Sequence, residues 1–230
     1  MKLGIGSILL AVVFALTGCA GTPQPNLDLA PNSLSSQSGR LGIVMSAMPK
    51  VDTFFPGADC LLCIAAASLA NTTLTSYTQT LPTEDLTRLK NEVAELIRKK
   101  GVDVMVIDEN LKIESLPAWH TEAINVSKKD FTSLKKTYGV DKLLVMEVNS
   151  LGIWRNYSAY FPTGEPYAVL HGAGYLVNLN NNTYEWYTRV HNVKTSEGKW
   201  DEPPAFPGLT NAYFQVIELS RDVYLKPFKK

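Results

Sequence analysis

The stretch from Ser150 to Val193 leaves this chain few ways to fold. Three segments rich in aromatic and β-branched residues, SLGIWRNYSAY, YAVLHGAGYLVNLN and TYEWYTRVHNV, are separated only by the turn-forming FPTGEP and NNN. Connections that short join antiparallel neighbours, so the region predicts a meander. A sheet of this kind has an apolar face to cover, and the flanking sequence supplies helices for it. Thr83 opens one: Glu84 and Asp85 lie in its first turn, Leu86, Leu89, Val93, Leu96 and Ile97 share a face, and Arg98, Lys99 and Lys100 precede Gly101. Those charges suit the helix dipole at both ends. Ser127 with Asp130 three residues on resembles a capping box for a helix using Phe131, Leu134 and Tyr138 and ending at Gly139. A last helix spans about 209–225. RLGIVMSAM, VDVMVID and VDKLLVMEV read as apolar strands. The fold class expected is α+β: a mostly antiparallel sheet with helices packed on it, forming a single domain over residues 40–230.

The amino terminus sets the compartment. Lys2 is followed by an apolar run to Leu16, too short to span a bilayer permanently, and the run ends in Leu16-Thr17-Gly18-Cys19. This ending resembles the lipobox of bacterial lipoproteins. The resemblance implies that residues 1–18 are a signal peptide, that Cys19 is lipidated, and, because Ala20 rather than aspartate follows, that the protein sits on the periplasmic face of the outer membrane. Residues 19–39 are rich in Pro, Ser, Asn and Gly and read as the lipidated cysteine and a flexible tether. If extended at about 3.1 Å per residue, such a tether reaches on the order of 60 Å. The chain carries 22 basic and 22 acidic residues, and loss of Lys2 with the signal leaves one more acid than base. That balance offers no footprint for nucleic acid.

Three cysteines are present, and two of them, Cys60 and Cys63, stand in DCLLC at the head of an apolar, helix-forming run. The i, i+3 spacing puts both sulfurs on one helix face. A structural disulfide or buried thiols, a labile or intermolecular disulfide, and a redox site all fit that pattern in an oxidising compartment. The Leu-Leu centre and the missing aromatic before Cys60 depart from the thioredoxin pattern. The apolar stretch 58–70 itself reads either as a buried core helix or as a subunit contact. A zinc site needs further soft ligands, and His120, His171 and His191 lack partners at useful spacing, although two of them meet if their strands are neighbours. No metal, cofactor, catalytic residue or small-molecule substrate is therefore expected: there is no Gly-x-Ser-x-Gly elbow and no Cys-His pairing. In HGAGY the glycines permit close backbone approach and leave room for a neighbour such as Trp186. Trp154, Tyr157, Tyr160, Phe161 and Tyr167, with Trp200 in the Pro-rich GKWDEPPAFPGLT, form the candidate partner surface, since Tyr and Trp concentrate binding energy.

The lipobox, the tether and the passage GVDKLLVMEV, GYLVNL, YEWY are together similar to a group of envelope lipoproteins. The group comprises the curli secretion lipoprotein, the lipoprotein activators of penicillin-binding proteins and the amino-terminal domain of the Tol translocation protein. The chain also resembles uncharacterised lipoproteins of Gram-negative bacteria. The resemblance implies a non-enzymatic component that binds or assembles with envelope proteins, attached to the membrane only through its lipid. In the curli secretion lipoprotein the region after the first strand lies at a ring constriction, and 58–70 occupies a broadly similar place. The alternative reading is a periplasmic thiol-disulfide protein using Cys60 and Cys63.

Overall fold

The computed structural model describes residues 23–229, so Cys19 and the signal segment 1–18 lie outside the described residues. In chain order the elements are β1 (Leu41–Met45), β2 (Asp52–Phe54), α1 (Leu61–Ala70), α2 (Thr72–Thr78), α3 (Glu84–Thr87), α4 (Leu89–Arg98) and β3 (Val104–Val106). They continue as α5 (Ser133–Tyr138), β4 (Lys142–Trp154), β5 (Tyr157–Ser158), β6 (Phe161–Pro162), β7 (Tyr167–Asn178), β8 (Thr183–Thr195) and α6 (Pro207–Leu225). The long strands β4, β7 and β8 pair antiparallel along their lengths, and they dominate the sheet. On the other edge of β4 the short β1 and β2 pair parallel to it, and β3 pairs parallel to β1, giving the order β3-β1-β4-β7-β8. This is the expected α+β arrangement.

One face of the sheet is covered by α3, α4 and α6, which bury Leu86, Leu89, Val93 and Ile97 together with Tyr213, Val216, Ile217 and Tyr224 against Leu144, Met146 and Leu176. The second face is covered over only part of its extent, by Ile107, Leu111, Ile113 and by Phe131 and Leu134 of the α5 region, packed on Val145, Tyr175 and Val177. The glycines of HGAGY serve close approach. A Cβ at Gly174 would strike the Trp186 ring, and one at Gly172 would strike the Glu147 carbonyl, to which the Tyr224 hydroxyl donates at 2.7 Å.

Three expectations need correction. First, VDKLLVMEV and SLGIW are one strand, β4, because a bulge between Val148 and Ser150 absorbs the change of pattern without ending the ladder. Second, the capping box does not form. The Ser127 hydroxyl accepts from the Lys129 amide, the Asp130 carboxylate accepts from the amide and hydroxyl of Thr132, and the helix starts only at Ser133. These short-range bonds hold the segment as loop. Third, residues 23–39 are no free tether. Leu27 exchanges two backbone hydrogen bonds with Tyr187 on the edge strand β8, at 2.8 and 3.0 Å, and Leu34 is buried in the main core. The apolar side chains of an otherwise polar segment find partners, and the open edge of β8 supplies backbone groups to bond.

Candidate functional site

At the Trp154 end of β4 the chain builds a raised platform. Gly57 has φ of 87° and no side chain, so β5 can lie directly on it: the Tyr157 amide donates to the Pro56 carbonyl at 2.7 Å, and that of Ala159 to the Gly57 carbonyl at 3.0 Å. Cys60 then caps α1, its Sγ accepting from the Cys63 amide at 2.9 Å, and the two cysteines are joined by a disulfide. Cys63 is buried and Cys60 is exposed. The Tyr160 hydroxyl lies 3.7 Å from the Cys60 sulfur.

α1 touches the rest of the molecule along one narrow line. Only Cys63 and Ala67 are buried, against Ala58 and Tyr157. Asn71, at the end of the helix, fixes it: its amide donates to the Ala67 carbonyl and the Tyr157 hydroxyl, each at 2.7 Å, and its carbonyl accepts from Arg155 at 3.0 Å. Apart from the half-buried Ala66, the rest of α1 is exposed. Leu61 is 88% exposed, Leu69 78% and Leu62 72%, and Phe161 on the adjoining β6 is 75% exposed. A groove of about 650 Å³ between α1, α2 and β2, lined by Phe54, Phe55 and Ile64, extends the apolar surface. The reading of 58–70 as a buried core helix is thereby corrected. The segment is apolar on every side, so its composition could not reveal that only two positions find a partner within the chain.

The partner surface expected from six aromatic residues is divided by the structure. Tyr160 and Phe161 are exposed beside α1. Tyr157 is buried beneath the helix, edge-on to Phe55 at 5.7 Å. Trp154 turns to the second face of the sheet, where it meets Phe54 at 5.8 Å and His171 at 5.1 Å. Tyr167 is half-buried and its hydroxyl donates to Asn156 at 2.8 Å. Trp200 is half-buried with the Arg155 guanidinium 4.7 Å from its ring centre, tying the Pro-rich strap to the hairpin. What the sequence reading missed is the weight of Leu61, Leu62, Ile64 and Leu69, whose only signal was an apolar run with no polar face.

His171 and His191 do converge, stacking at 4.3 Å as partners on β7 and β8, while His120 stands apart on an exposed loop. Burial, with the neighbouring His191, holds His171 below the usual histidine range. Among the described residues no group of three or more His, Cys, Asp or Glu side chains is placed to hold a metal ion, and no helix is long and apolar enough to cross a membrane.

An α+β domain that presents an exposed apolar helix beside a small hairpin is the class these features define. No family model matches the chain, and no curated protein matches it. Among solved structures it is similar to the PelC dodecamer from Paraburkholderia phytofirmans, at 12% identity over 90% of this chain and 94% of that one, with a TM-score of 0.34. It is also similar to a Xanthomonas campestris protein of the family model DUF330, at 12% identity over 90% and 94% with a TM-score of 0.35. A third is lipoprotein GNA1162 from Neisseria meningitidis, at 13% identity over 79% and 99% with a TM-score of 0.27.

Proposed function

We propose that this chain is a lipoprotein anchored through Cys19 at the periplasmic face of the outer membrane. In this reading it catalyses no reaction and works by binding or assembling with another envelope protein through the α1 surface. The observation that carries the reading is the exposure of Leu61, Leu62 and Leu69 on a helix attached by two buried side chains and Asn71. A helix apolar all round is ordinarily covered, and at ten residues, about 15 Å long, this one is too short to be covered by crossing a bilayer. In this reading a protein surface is the cover. Each leucine transferred from water to such a surface contributes roughly 1.5–3 kcal/mol.

The test is the native mass of the full chain, produced with its signal in a Gram-negative host and purified in mild detergent, measured before and after reduction. A discrete complex that survives reduction and is lost in Leu61→Asp/Leu69→Asp supports the reading. A monomer whose crosslinks in the intact envelope do not change in that double variant overturns it. Turnover of a protein disulfide that disappears in Cys60→Ser would replace it with a thiol-disulfide enzyme.

A further inference from the structure

We infer that the second face of the sheet carries a binding site for an organic ammonium ion, formed by the Glu147 carboxylate beside a wall of three tyrosine rings. The site lies away from α1. Alternation along β4 places the carboxylate: Leu143 and Val145 point into the core of the second face, and Glu147, next in that series, is a carboxylate at its margin. Register then places Tyr175 on β7 opposite Val145, and Tyr187 on β8 opposite Tyr175. The three rings of Tyr175, Tyr184 and Tyr187 lie within 5.3–5.9 Å of one another, centre to centre.

These groups line one cavity of about 360 Å³, bordered also by the loop around Ile124–Lys129 and by Pro23–Pro25 of the docked amino-terminal segment. That volume falls in the range of small-ligand sites. The loop is held rigidly. Asn182, fully buried at the β7–β8 turn, donates to the carbonyls of Ser127 and Lys129 at 3.1 and 2.9 Å and accepts from the Phe131 amide at 3.0 Å. A built wall of this kind does not depend on a ligand to form it.

Charge decides the class of ligand. The Tyr175 hydroxyl donates to a Glu147 oxygen at 3.0 Å, and Glu147 has no ion-pair partner among the described residues. Of the bases at the cavity, Lys129 spends its ammonium on the carbonyls of Glu114 and Leu116 at 2.8 and 3.0 Å, and Arg189, beside Tyr187, donates to the Gln24 carbonyl at 2.9 Å, so neither pairs with Glu147. Lys128 and Glu122, also on the lining, are exposed and screened by solvent. A half-buried carboxylate without a cation is costly, and tyrosine faces attract cations, so both features favour the same occupant. A primary alkylammonium and a quaternary ammonium share the chemistry.

The test is calorimetric titration of the full chain in detergent with choline, with butylammonium, and with 3,3-dimethylbutan-1-ol, the uncharged isostere of choline. Saturable binding of either cation, with the isostere at least about tenfold weaker, supports the site, and the stronger cation names its source. Glu147→Gln, which keeps a partner for Tyr175, should weaken that cation about tenfold or more. Tyr187→Leu should weaken it by about threefold or more. Equal binding of the isostere, unchanged affinity in Glu147→Gln with unchanged folding by circular dichroism, or no saturation by either cation up to ~10 mM would overturn the inference.

Discussion

Single side chains set the two candidate surfaces, and each predicts something measurable. Asn71 is buried and makes three hydrogen bonds that join α1 to the hairpin and to Arg155. Asn71→Ala leaves the Tyr157 hydroxyl and Arg155 short of partners, and we expect a loss of about 1–3 kcal/mol in urea unfolding. Glu147 acts in the opposite sense. Burial pushes its carboxyl above the usual glutamate range, the charge of Glu114 adds to the shift, and the Tyr175 hydrogen bond opposes it. The unfolded carboxyl titrates near ~4.3, so above that pH the native state holds a proton longer than the unfolded chain does. Stability is therefore lost as pH rises toward the native pKa. Glu147→Gln removes that loss: the variant should melt above the wild type at pH 7, with the two curves meeting near pH ~4. Parallel melting curves across that window would contradict the assignment.

Elements differ in how far they could be foreseen. Because Cys63 and Ala67 are the buried side chains of α1 and Asn71 anchors its end, Leu61→Asp/Leu69→Asp should change unfolding stability by less than about 0.5 kcal/mol per site while reducing association. A core helix would lose several times that amount. The α4 face, Leu89, Val93 and Ile97, was legible because polar residues alternate with it at helical spacing, and all three are buried. The α1 segment was legible as a helix and illegible as a surface, since periodicity reports a buried face only where a polar face contrasts with it. The meander was read from its turns, yet the bulge at Val148–Ser150 fused two predicted strands into β4. Ser127 and Asp130 matched a cap by spacing, and competition from their own loop amides decided otherwise. The tyrosine wall was hidden for a related reason: a register shift at Leu176–Val177 puts Tyr184 and Tyr187 on one face although their spacing is odd.

For the molecule as a whole, the amino-terminal segment is part of the domain. Leu34 is 8% exposed within the main core, and the Lys142 ammonium donates to the Ser33 carbonyl at 3.0 Å. Leu34→Ala should lower unfolding stability by about 2–5 kcal/mol, a cost no free tether would show. The docking also fixes the leash. From Cys19 to Pro23 there are four residue steps, which at full extension cover no more than about 14 Å. An acylated chain would thus be parked against the lipid headgroups instead of sweeping the periplasm. Its encounters become a search in two dimensions, so a partner for α1 that shares the membrane meets it at a raised local concentration.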